Sequence, residues 1–324
     1  MNQEKLKSYW YPILKEGDLN GGLVSATLLD VKLVLMRINS RVFCFIDKCP
    51  HRGVPLSMGK IVGDKIQCCY HGWEFDCSGK LTKTPGYENC GKDVSLKKFE
   101  THTSEGVVWV KLEGDRKFQD PFIVQDGYDS TTHFKVMNAD FIHSIENFLD
   151  PMHTFFVHRG LLRGRGKQHM DVSQTSSTDG FITKYKMTKK QNGLINKLFG
   201  NGIDTQVASF TMPGLAKIEY YKNLLLKFRV AIFFIPTQSG KVKMLVNVSL
   251  KKTLVPSFLK FIALRPFLEI AYLQDKNILE LHQQSKSNQG TTNVIIPTDL
   301  VIDHLLHLVL DKEKGVDKKM HLIV

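Results

Sequence analysis

Two short segments concentrate the residue types that bind metals. Cys49-Pro50-His51-Arg52-Gly53 sets a thiol and an imidazole two residues apart, and sixteen residues separate His51 from Cys68-Cys69-Tyr70-His71-Gly72-Trp73. Two cysteines and two histidines suit either tetrahedral zinc or a [2Fe–2S] cluster with mixed ligands. Zinc sites favour Cys pairs and His pairs at their own spacings, so Cys-x-His followed by Cys-x2-His tilts the chemistry towards iron and sulfur. The second segment reads Asn147-Phe-Leu-Asp150-Pro-Met-His153-Thr-Phe-Phe-Val-His158. Apolar neighbours favour burial of both histidines, and buried imidazoles need partners. Iron(II) that handles oxygen is held by two His and one carboxylate, with positions left open opposite them.

The carboxylate falls far along the chain. Around 268–282 the residues Leu268, Ala271, Tyr272, Ile278 and Leu279 form an apolar helical stripe with Asp275 inside it. An acid on a core-facing stripe is costly unless it is paired or metal-bound. A buried salt bridge is the alternative reading of Asp275; Glu269 and Glu280 fall off the stripe and read as solvated. Asp150 followed by Pro151 predicts a helix start, with Asp as N-cap and Pro in the first turn. His153 and His158 would then lie about 140° apart on an ideal helix, so a shared metal requires a widened, π-like turn.

The elements around these segments divide the chain in two. Residues 1–118 read as short strands joined by tight turns: Lys32–Ile38 and Val42–Ile46 flank Asn39-Ser40, and further runs flank Gly63-Asp64 and Ser78-Gly79. That is a small antiparallel β domain. Residues 119–324 carry longer β runs, among them Phe181–Met187, Leu224–Ile235 and Val242–Leu250, with helical patterns near 140–158, 256–285 and 298–311. The fold class is α+β, the second domain being a curved sheet with helices over one side.

Composition narrows the function classes. With 42% hydrophobic residues and a net charge of +12, the chain has enough apolar surface to fold. Its most apolar stretch, Leu254 to Leu273, is interrupted by Lys260, Arg265, Glu269 and two prolines, so a membrane span is not expected. The opening MNQEKLKSYW has no apolar leader, which predicts a cytoplasmic protein. All six cysteines lie in the first 90 residues, a clustering that points to metal or redox chemistry over disulfides. Cys44 reads as strand core, and Cys69 and Cys77 as structural. The basic run Arg159, Arg163, Arg165 and Lys167 reads as a solvated loop, or as a dock for an acidic ferredoxin or an anionic substrate. His304 and His307 read as helix-surface or interface residues, and the charge does not by itself call for nucleic acid. Phe210–Met212 and Leu224–Ile235 are candidates to line an apolar pocket.

CPHRG followed by CCYHGW resembles a Rieske [2Fe–2S] motif, which implies that Cys49 and Cys68 hold one iron and His51 and His71 the other. Val54 and Tyr70 occupy the positions where respiratory Rieske proteins carry a disulfide, so that bridge cannot form here. N-x2-D-x2-H-x4-H, with a distant Gln-Asp275-Lys, resembles the catalytic domain of Rieske non-haem iron oxygenases. The resemblance extends to short α subunits of the dicamba and vanillate demethylase and saxitoxin-pathway hydroxylase type. Plant relatives of chlorophyll breakdown carry a C-terminal Cys pair and membrane anchor, and neither is found here.

The resemblance implies a Rieske domain followed by a helix-grip, START-like catalytic domain in a homotrimer. It implies mononuclear Fe(II) on His153, His158 and Asp275, with Asn147 lining the iron pocket. Asp150 would join His153 to a Rieske histidine of the neighbouring subunit. The partners implied are a reductase or ferredoxin donor, O2 and a small organic substrate that is hydroxylated or oxidatively demethylated. An electron-transfer or redox-sensing protein without oxygenase activity is the alternative, and a zinc-binding interaction module a third.

Overall fold

The computed structural model describes residues 3–86, 93–122, 126–161, 169–187, 203–289, 294–313 and 315–323. Cys90, Arg163, Arg165 and Lys167 lie outside them. The chain forms two compact units, one of residues 3–120 with 235–239 and one of the remainder from 121 onward.

The N-terminal unit opens with a short helix, α1 (Gln3–Lys7), and apart from 3-10 turns at Glu16–Leu19 and Leu56–Met58 its regular structure among the described residues is β. Its strands are β1 (Trp10–Lys15), β2 (Val24–Leu28), β3 (Val31–Ile38), β4 (Arg41–Ile46), β5 (Lys60–Val62), β6 (Lys65–Gln67), β7 (Glu74–Phe75), β8 (Leu81–Lys83), β9 (Lys98–Ser104) and β10 (Val107–Lys111). They make a six-stranded sheet in the order β1-β10-β9-β4-β3-β2 and a four-stranded sheet β5-β6-β7-β8. Asn39 and Ser40 both take positive φ between β3 and β4, the hairpin geometry whose twist matches the strands. Val34, Met36, Phe45, Leu56, Ile66 and Phe75 bury a common core that includes Cys49 and Cys68.

The larger unit is built on one eight-stranded sheet. Its strands are β11 (Tyr128–Met137), β12 (His169–Ser176), β13 (Gly180–Met187), β14 (Thr205–Thr211), β15 (Leu215–Lys222), β16 (Leu225–Gln238), β17 (Lys241–Lys251) and β18 (Lys319–Ile323), in the order β11-β17-β16-β15-β14-β13-β12-β18. Among the described residues this unit also carries the α-helices α2 (Phe141–Leu149), α3 (Ser257–Gln289) and α4 (Ile302–Leu310). Leu264 of α3 packs with Phe228, Val248 and Leu250 of the sheet, and α2 touches β15, β17, α3 and α4. A long helix laid on an antiparallel sheet is the α+β, helix-grip arrangement expected from the resemblance.

The helix expected from Pro151 onward is not there. Instead α2 begins at Asp140, whose carboxylate accepts from the Ile142 and His143 N–H groups, and ends before Asp150. Pro151 explains the stop: it lacks an N–H, clashes with the preceding turn, and pushes its predecessor out of the helical region. Asp150 accordingly sits at φ −73°, ψ 123°.

Candidate metal centres

The two Cys-His loops are built on one hydrogen-bonding plan. Cys49 N donates to Val54 O and Gly53 N to Cys49 O; Cys68 N donates to Trp73 O and Gly72 N to Cys68 O. Each loop therefore turns at a glycine four residues after its cysteine, and Gly53 and Gly72 both have positive φ. The plan delivers the side chains as two pairs. Cys49 and Cys68 are both buried, and Cys68 acts on the Cys49 thiol. The His51 and His71 rings lie 4.6 Å apart, and His51 stacks flat on Trp73.

Two pairs, rather than one four-ligand knot, suit a two-iron cluster. His51 Nδ1 is buried without a hydrogen-bond partner, an open lone pair of the kind a metal ligand offers. Burial, with His71 and Arg52 close by, holds His51 below the usual imidazole range. Burial and the neighbouring Cys68 push the Cys49 thiol up, while the N–H groups of His51 and Arg52 pull it down. Those same N–H groups are placed to stabilise a thiolate. Cys44 is buried in β4; Cys77 gives its thiol to Asp64 O. Cys69, expected to be structural, is exposed instead because its neighbour Cys68 takes the inward position.

In the larger unit His153, His158 and Asp275 converge, with one donor atom from each inside a 4.8 Å group. His158 Nε2 is 3.0 Å and His153 Nε2 3.5 Å from Asp275 Oδ1. No π-like turn is needed. A single 3-10 turn over His153–Phe155, followed by irregular chain, brings the two rings to 5.1 Å. Asp150 starts no α-helix: it ends α2, and its carboxylate accepts from Met152 N and His153 N, the N–H groups that lead into the turn.

Each converging residue except His153 is held from behind. Asn147 Nδ2 donates to Asp275 Oδ1 at 2.9 Å, so Asn147 acts on the carboxylate. Gln274 Oε1 lies 2.9 Å from His158 Nδ1. His153 Nδ1 has no hydrogen-bond partner, and Asp150 Oδ2 stands 3.7 Å from it. Burial lowers the His153 pKa, but the Asp150 and Asp275 carboxylates outweigh it and bring it to about 9. Burial alone would raise Asp275; hydrogen bonds and charge from His153 and His158 hold it at about 2 instead. Two imidazoles and an ionised carboxylate aimed at one point are a donor set suited to Fe(II).

Sequence reasoning missed Gln274, because its partner His158 lies 116 residues away and no local pattern links them. Glu269 and Glu280, read as solvated, are in fact engaged: Glu269 pairs with Lys135 at 2.7 Å, and Glu280 accepts from Asn138 N. His304, read as a surface residue, is buried and bonded to Gln174 Oε1, because α4 turns that face onto the sheet; His307 reaches Lys312 O. Of the suggested pocket residues, Phe210 and Met212 are buried while Leu224 is almost wholly exposed. A polar groove of about 440 Å³, lined by Asn138, Glu280, Gln283, Gln284 and Asn288, holds none of the converging three.

Residues 9–100 match the family model of the Rieske [2Fe-2S] domain. Methylxanthine N1-demethylase NdmA of Pseudomonas putida is 26% identical over 182 residues, 49% of this chain and 49% of that protein. The oxygenase component of chloroacetanilide N-alkylformylase from Rhizorhabdus wittichii is 27% identical over 172 residues, 48% of each. The matched stretch thus spans about half the length of these curated relatives. The structure of dicamba monooxygenase bound to dicamba is similar over 94% of this chain and 97% of that one, with a TM-score of 0.75 at 17% identity. Residues 9–100 thus carry a Rieske [2Fe–2S] domain, and over 94% of its length the chain has the fold of dicamba monooxygenase.

Proposed function

We propose that this chain is the oxygenase component of a Rieske-type monooxygenase acting on a small organic substrate. The observation that carries the reading is the convergence of His153, His158 and Asp275 in the same chain as a Rieske domain. An electron carrier or redox sensor needs only the first centre. Cys49, His51, Cys68 and His71 would hold the [2Fe–2S] cluster, and His153, His158 and Asp275 the mononuclear iron. When bound, the cluster supplies electrons singly and the iron supplies the place where dioxygen is reduced.

The net reaction takes a C–H bond, O2, two electrons and two protons to C–OH and water. The electrons come from a separate reductase or ferredoxin. Where the carbon is an N- or O-methyl group, the hydroxylated product collapses to formaldehyde and the demethylated substrate. Demethylation is the activity named for the methylxanthine relatives, which supports this branch.

The chain's own residues divide the work. Gln274 Oε1 accepts from His158 Nδ1 and so fixes the ring with Nε2 turned towards Asp275. Asn147 fixes the carboxylate. Asp150 lies beside the unpartnered His153 Nδ1, and in a homotrimer it would link that ring to a Rieske histidine of the adjacent subunit.

The test is anaerobic purification with iron and acid-labile sulfide analysis. About three irons and two sulfides per chain, with a Rieske EPR signal, are expected. Asp275→Ala should lose about one iron and keep the visible spectrum, while Glu280→Ala keeps all three. Formaldehyde release with a generic reductase and a panel of methoxyaromatic, N-methyl, sterol and alkaloid substrates identifies the branch. Stoichiometric zinc without sulfide would overturn the proposal.

A further inference from the structure

The start of α3 and the loop before it expose apolar side chains where a solvated helix should be polar. Leu254 is fully exposed; on the helix Phe258 is 63% and Ile262 64% exposed, and Leu259, Ile270 and Leu273 are each nearly half exposed. At 100° per residue, Leu259, Ile262, Ile270 and Leu273 fall within one 80° sector. Leu264 and Leu268 point the opposite way and pack on the sheet. Over its first five turns, therefore, α3 is apolar both towards its own sheet and away from it. Such a helix is normally buried on both faces, and a contiguous exposed stripe of this kind marks a contact.

The charges around the stripe have one sign. Lys251, Lys252, Lys260 and Arg265 flank it, and Glu269 is the only acid between residues 251 and 273. Glu269 is occupied by Lys135, and the nearby Asp129 faces Lys252 at 3.6 Å. The stripe itself offers aliphatic groups and one phenyl ring, with no hydrogen-bonding complement. A protein interface carries about one hydrogen bond per 100–200 Å² and leans on Tyr, Trp and Arg anchors. Acyl chains require neither. No helix among the described residues is long and apolar enough to cross a membrane, so the stripe can lie on a bilayer but not through it.

We propose that this face of α3, led by Leu254, docks on the surface of an anionic lipid bilayer with the helix in the membrane plane. The apolar stripe enters the headgroup–acyl boundary, and Lys251, Lys260 and Arg265 sit at the level of the lipid phosphates.

The experiment is flotation of the full chain, cofactors loaded, with phosphatidylcholine vesicles with and without 30% phosphatidylglycerol. Binding to the anionic vesicles is expected, falling severalfold on neutral vesicles or at 0.5 M salt. Phe258→Glu with Ile262→Glu should cut binding at least tenfold while the visible iron–sulfur spectrum is retained. If that pair loses its spectrum, Leu254→Glu in the preceding loop decides in its place, with the same loss expected. Wild-type protein that does not float, equal binding to neutral vesicles, or variants that float unchanged would each overturn the proposal. So would a lower mass by light scattering for the lipid-free variants, which would assign the face to a second copy of the chain.

Discussion

His153 and His158 present the same nitrogen to Asp275 but are held differently. His158 has Gln274 behind it, whereas His153 Nδ1 is buried and unpartnered. A hydrogen bond behind a ligand fixes its tautomer and ring orientation, and losing one weakens metal binding on the order of 10–100-fold. Gln274→Leu should weaken binding at the three-residue site to that extent while the Rieske spectrum stays as it is. Anaerobic Co(II) titration measures it, and an unchanged affinity would leave Gln274 no part in holding His158. The protonation of His153 gives a second expectation. Its pKa of about 9 means that the metal-free site is protonated at neutral pH, and a metal must displace that proton. Apparent affinity should rise roughly tenfold per pH unit from 7 towards 9 and then level off. A flat profile between pH 7 and 8 contradicts this.

At the scale of elements, the loop that carries the histidines exists because Pro151 stops α2. Residues 150–158 leave the helix, and Asp150 holds the entry to the 3-10 turn within them by accepting two N–H groups, from Met152 and His153. If capping were the whole role of Asp150, Asp150→Asn would be nearly neutral, costing about 0.3 kcal/mol, since Asn caps about as well. From the position of its carboxylate beside His153 Nδ1 we propose a second task that needs the charge. Asp150→Asn is expected to keep its iron content and melting temperature and to lose most turnover. Single-turnover oxidation of the reduced cluster, with substrate and oxygen present, is the deciding assay. Wild-type rates there would reduce Asp150 to a cap.

For the whole molecule, the larger unit folds around an acid that neither centre uses. Glu146 on α2 is pushed up to about 7, chiefly by burial, with His143 opposing and Asp150 and Asp299 reinforcing the rise. The folded chain therefore holds this proton more tightly than the unfolded chain, whose carboxyl titrates near 4.5. The sign follows: stability is full below 4.5 and is lost progressively as pH rises through 7. Glu146→Gln should remove that loss and stabilise the protein at pH 8 by about 2 kcal/mol relative to its effect at pH 5. Urea unfolding at the two pH values checks it, and an equal shift at both would place the cause elsewhere.

What the sequence determined is local. The two Cys-His loops were legible because each sets a cysteine, a histidine and a turning glycine within six residues, and the Asn39-Ser40 hairpin because its turn chemistry is written in two. The paired strands β13, β16 and β17 showed as apolar runs, and Asp275 stood out against its helical stripe. Tertiary structure decided the rest. Strands β1, β2, β9, β12 and β18 gave no clear pattern, since mixed polar runs such as His169–Ser176 become strands only when a neighbouring strand takes their hydrogen bonds. Asp150-Pro151 read as a helix start because both residues favour one; α2 had already claimed the preceding turn and made the proline a stop. Gln274 behind His158 and Asn147 behind Asp275 join residues 116 and 128 positions apart. No local period encodes such pairs, because they are made by the packing of α3 against α2 and the segment after it. The outward stripe of α3 was equally hidden: an apolar run does not say which of its faces the fold will cover.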